Sequence, residues 1–73
     1  MATIQVKAEV SGSVWQITTK VGQKIEAGDT LMIIESMKME IPVIAEHAGT
    51  IDKFMVDEKA AISEGQVVAV LSR

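Results

Sequence analysis

Apolar and polar residues alternate along much of the chain. Ile4 and Val6 stand between polar neighbours across residues 3–7, the period of a half-buried β-strand. Ser11-Gly12-Ser13 is expected to end that strand. Val14, Trp15 and Ile17, followed by Thr18 and Thr19, make a second stretch of good strand formers. Residues 21–29 carry two glycines and read as a long turn, with Ile25 tucked beneath it into the core. Residues 30–36 and 39–45 predict two more strands. The plan then recurs: a strand over 50–56, a turn over 57–65 with Ile62 tucked in, and a last strand over 66–71. The pattern predicts an all-β domain of about eight strands, two of them very short.

The recurrence is a repeat at an offset of 37 residues. Ile4, Val6, Ala8, Glu9, Gly12, Ile25 and Gly28 return as Ile41, Val43, Ala45, Glu46, Gly49, Ile62 and Gly65. Conservative pairs fill the gaps, among them Val14 with Ile51 and Ile33 with Val70. One copy per half predicts two similar sheets related by a pseudo-twofold axis, in a flattened barrel or sandwich. The four paired glycines are expected to serve turns with positive φ. Lys59-Ala60 stands where the first half has Gly22-Gln23, which leaves the shape of the last loop open. The repeat partner of Lys38 is Met1, so the chain ends are expected together, opposite Lys38.

The sequence nearly mirrors itself about the bond between Met37 and Lys38. Glu35 then faces Glu40, and Ile34 faces Ile41. This predicts a hairpin whose two loop residues are Met37 and Lys38. Residues 31–40 also contain good helix formers, but Pro42 would stop a helix and no cap starts one. The repeat pairs residues 30–35 with 67–72, a β-branched run without helical period. A strand with Pro42 facing outward from a sheet edge, or from a gap in pairing, satisfies both observations.

Composition narrows the function. Residues 1–73 form a single small domain, without cysteine and therefore without disulfide or thiolate metal site. Apolar runs such as Leu31-Met32-Ile33-Ile34 fall far short of the roughly 18 residues that span a bilayer. The start shows no signal peptide and reads as cytoplasmic. Net charge is −3 and no cluster of Lys or Arg occurs, which argues against nucleic-acid binding. His47 has no metal-ligating neighbours in sequence and reads as a surface residue. No nucleophile–base pair, phosphate loop or metal spacing is present, so an enzyme active site is not expected.

Lys38 is the candidate functional residue. A lysine at a hairpin tip is ordinarily just solvated charge, but this tip breaks two local rules. Two exposed methionines, Met37 and Met39, forgo about 1.5–3 kcal/mol each of burial. Tight hairpins also favour Asn-Gly or Asp-Gly, because both loop residues need positive φ; other residues there cost about 1–3 kcal/mol each. Such departures mark functional sites. A primary amine on a flexible stem suits amide formation, once deprotonated. The chain offers no base for that step, so a separate enzyme is expected to supply it.

Glu35-Ser36-Met37-Lys38-Met39-Glu40-Ile41-Pro42 resembles the attachment site of the biotinyl/lipoyl attachment domain family, and the likeness extends over almost the whole chain. The resemblance is greatest to free-standing biotin/lipoyl attachment proteins of the biotin carboxyl carrier type. It implies covalent biotin on Lys38, recognition through Met37 and Met39, and a hairpin framed by Glu35, Ser36 and Glu40. Ser36 replaces the family's usual alanine, another small residue. The implied partners are a biotin protein ligase, a biotin carboxylase and a carboxyltransferase, with the chain itself a carrier and not an enzyme. A lipoyl carrier shares the fold and the amide chemistry, but usually has an acidic residue where Met37 stands. An unmodified β-module used for assembly would give no reason for Met-Lys-Met.

Overall fold

The computed structural model describes residues 3–73, which form eight strands and no helix. These are β1 (Thr3–Lys7), β2 (Gly12–Ile17), β3 (Lys24–Ile25), β4 (Thr30–Ser36), β5 (Met39–Ile44), β6 (Gly49–Phe54), β7 (Ala61–Ile62) and β8 (Val67–Ser72). They make two four-stranded antiparallel sheets, ordered β1-β8-β6-β3 and β5-β4-β2-β7. The inner faces meet in one core, whose largest wholly buried side chains include Leu31, Met32, Ile34, Ile51 and Leu71. Ile25 and Ile62 are buried there as the alternation predicts, each on its two-residue strand.

The repeat extends to the register. Ile4 pairs with Leu71 as Ile41 pairs with Ile34, and Gln16 with Ile33 as Lys53 with Val70. Both β2 and β6 carry a bulge, at Trp15 and Asp52 respectively. The bulge explains why Trp15, an apolar residue in a strand, stands 48% exposed.

Of the flattened barrel or sandwich expected, the two sheets make the sandwich and do not close, while other expectations change. β1 and β5 are edge strands, and a groove of about 480 Å³ separates them, floored by repeat pairs such as Val6 and Val43 or Ile34 and Leu71. Gly12 and Ser13 do not break the chain but begin β2, because they pair with Ile62 and Ala61. Nor does Gly12 or Gly49 take positive φ, unlike Gly28 and Gly65. Their lack of a side chain answers a close approach instead. A Cβ on Gly12 would overlap the Glu35 carbonyl oxygen, and one on Gly49 would lie 2.8 Å from the Ser72 oxygen. Finally, the Lys59 loop keeps the shape of its glycine counterpart. Lys59 adopts φ 72° against 89° at Gly22. Its N–H donates to Val14 oxygen at 2.6 Å, as Gly22 donates to Ile51 oxygen at 2.7 Å.

Pro42 is exposed on edge strand β5, where its missing N–H costs no ladder bond. Thr3 pairs with Ser72, so the two ends of the described chain lie together. Met1, the repeat partner of Lys38, lies outside the described residues.

Candidate functional site

β4 and β5 form the hairpin that the mirrored sequence predicts. Met32 pairs with Val43, Ile34 with Ile41, Glu35 with Glu40 and Ser36 with Met39. Met37 and Lys38 alone remain as the turn, with φ of 51° and 65°. Two successive positive φ values belong to the primed turns that match the twist of the flanking strands. The same conformation is the one that L-residues other than Asn and Asp resist. Buried Met32, Ile34 and Val43 anchor the base of the arm in the core. The tip is solvated: Lys38 is exposed, Met37 is 93% exposed and Met39 63%. Neither methionine packs back onto the body, which leaves both free for contacts with another molecule.

The body is elongated, 36 × 18 × 17 Å, and the tip lies at one end of it. Ser36 Oγ donates to the Ser11 carbonyl oxygen at 2.8 Å, and Glu64 N–H donates to Ser11 Oγ at 3.0 Å. Ala8 N–H donates to Gln66 oxygen at 2.9 Å. The end of β1 and the start of β8 therefore lie at the end of the body from which the hairpin projects. Thr3 and Ser72, at the other ends of those strands, lie at the far end, as the repeat requires.

Of the residues singled out from sequence, the structure brings Glu35, Ser36, Met37, Lys38, Met39 and Glu40 into one continuous tip. Glu35 and Glu40 are exposed cross-strand neighbours that frame it with two carboxylates. His47 is exposed and away from the tip, on the groove between β1 and β5. Sequence reasoning gave Ser11 and Gly12 only strand-ending and turn roles and passed over Glu64; Ser11 and Glu64 brace the hairpin base, and Gly12, at the start of β2, admits the close approach. The paired glycines were the available signal for Gly12; nothing local marks Ser11 or Glu64. Among the described residues no group of three or more His, Cys, Asp or Glu could hold a metal ion. Chemically, the tip offers one exposed primary amine at the end of a two-stranded support. The groove between the edge strands contains none of residues 36–39. Such a site suits an acyl group added to Nζ and then delivered to pockets on other proteins.

Comparison with known proteins agrees with this geometry. The biotin/lipoyl family model, described as "Biotin-requiring enzyme", matches residues 2–71. The chain is 43% identical over 67 residues to "Biotinylated protein TB7.3 homolog" of Mycobacterium leprae, covering 92% of this chain and 94% of that protein. It is 37% identical over 67 residues to "Biotin/lipoyl attachment protein" of Bacillus subtilis, covering 92% of each. Among solved structures, the Kluyveromyces lactis urea carboxylase contains a similar domain, with TM-score 0.91 and 32% identity. That match covers 97% of this chain and only 6% of the enzyme. Family match, full-length relatives and a superimposable fold converge, and the chain belongs to the biotin/lipoyl attachment family.

Proposed function

We propose that this chain is a biotin carrier, modified on Lys38 by a biotin protein ligase. It then serves a biotin carboxylase and a carboxyltransferase in turn. The observation that carries the reading is the turn itself: a single exposed lysine at the apex of a strained two-residue loop, between two exposed methionines. The residues present suit the group. Lys38 Nζ, once deprotonated, attacks the activated carboxyl carbon of biotin; the C–N bond forms as the activating group leaves, and the proton passes to a base of the ligase. When bound, biotin supplies a nitrogen that accepts and releases an activated carboxylate. The chain's own contribution is mechanical. Hairpin β4–β5 holds the attachment point away from the body, and the tether raises the effective concentration of the group at two active sites in turn. Acylation also removes the lysine charge between Glu35 and Glu40, leaving the tip acidic.

In this reading the chain acts as a carrier and the chemistry belongs to its partners, in the cytoplasm where ATP-driven ligation takes place. The printed name of the Bacillus subtilis relative includes lipoyl, so lipoate is a second acceptable acyl group on the same lysine. The test is intact mass and peptide mapping after treatment with biotin protein ligase, and separately with lipoate ligase. One biotinyl group on Lys38 is expected. Lys38→Arg, which keeps the charge but loses the primary amine, accepts none. Biotin on Lys53 or Lys59 in that variant would overturn the assignment, and lipoyl transfer without biotinyl transfer would favour the second reading.

A further inference from the structure

We propose that Ser36 is a positioning residue for the modification, through a hydroxyl tie to the loop between β1 and β2 that has no counterpart at the repeat-related residues; the inference rests on Lys38 being the acceptor. Ser36 is the last residue of β4 and precedes the turn directly. Its Oγ donates to the Ser11 carbonyl oxygen at 2.8 Å. Ser11 is held in its turn, because its Oγ accepts the Glu64 N–H at 3.0 Å. The β4–β5 hairpin, the loop between β1 and β2, and the turn before β8 are thus joined at one point. Gly12, beside Ser11, lets that loop approach the Glu35 carbonyl as no other residue could.

The pseudo-twofold supplies an internal control. The partners of Ser11, Ser36 and Glu64 at the other end are Ala48, Arg73 and Ala27. The close approach recurs there, between Gly49 and Ser72, but Ala48 has no hydroxyl to accept and Arg73 none to donate. The shared fold therefore needs the glycine and not the hydroxyls. Hydroxyls also tie the start of β4, where Thr18 donates to the Thr30 oxygen and Thr19 to the Leu31 oxygen, but the Ser36 tie is the one that adjoins the strained turn, with φ of 51° and 65° on two L-residues. A strained turn at the end of a two-stranded arm frays unless its neighbours are held. Ser36 holds the residue on one side of it and so narrows the conformers in which Lys38 is presented.

A ligase that reads one conformer sees its apparent affinity fall with the fraction of tips in that conformer. Ser36→Ala should raise the ligase KM for this protein by about 1.5-fold where the competent conformer dominates and by about five-fold at most, the range set by losing one partly exposed hydrogen bond. kcat should stay within about two-fold, because the bound tip is ordered by the enzyme. Ser36→Thr keeps the hydroxyl and should restore the wild-type KM. A change in overall stability would not move KM at temperatures well below the melting point. In the unmodified protein, {1H}-15N NOE values at Met37 and Lys38 should fall in Ser36→Ala and not in Ser36→Thr. An unchanged KM in the alanine variant, or failure of threonine to restore it, would overturn the proposal. If the wild-type chain accepts no biotin, the carrier reading fails separately, and equal NOE values in wild type and Ser36→Ala would then overturn the tie.

Discussion

Met37 tests whether the tip is built for stability or for contact. Its φ of 51° is left-handed, a conformation that costs an L-residue about 1–2 kcal/mol. Asparagine is several-fold enriched there, and a preference of roughly three- to five-fold corresponds to about 0.7–1 kcal/mol. Met37→Asn also loses the methionine's contact with the body. At 93% exposure, under about a tenth of a burial free energy of about 1.5–3 kcal/mol is at stake, or about 0.2 kcal/mol. The net expectation is a gain of about 0.5 kcal/mol, from relieved strain less lost contact. For a domain of this size that raises the melting temperature by about 2–4 °C. Far-UV circular dichroism melts of the unmodified protein measure it. The same variant should be biotinylated more slowly, because an exposed methionine at a docking tip is contact surface. A fall in melting temperature of more than about 2 °C would refute the reasoning, since Met37 would then be packing against the body.

Two further substitutions test the glycine logic. Gly12→Ala should destabilise by about 2 kcal/mol in urea unfolding, because the obstructing atom is a backbone oxygen that cannot rotate away; Gly49→Ala should cost less, and the opposite order would contradict the steric account. Lys59→Gly should raise stability by about 0.5 kcal/mol, the left-handed strain relieved less the added freedom of the unfolded chain. A loss of similar size in a thermal melt would show that the lysine side chain stabilises the loop.

The local grammar of the chain determined much of this protein. Alternation of Ile4 and Val6, burial of Ile25 and Ile62, the hairpin about Met37 and Lys38, and Pro42 on an edge are all consequences of period, turn length and donor chemistry, which act over a few residues. The 37-residue repeat went further and determined a register shared by both sheets, because equal sequences impose equal pairings. Tertiary structure decided what depends on residues far apart in the chain. Gly12 looks like a turn glycine until Glu35 is seen against it, and Gly49 until Ser72 is. Trp15 reads only as a strand former until the bulge turns it outward. Ser36 is a small residue in a motif until the Ser11 carbonyl arrives from 25 positions away to accept its hydrogen bond. Lys59 takes a glycine's conformation because Val14 accepts its N–H, a bond that the sequence of the loop does not contain. Sheet closure is decided the same way. Each sheet can be read from its own strands, but whether β1 meets β5 depends on how the two sheets pack against each other, and here a groove separates them.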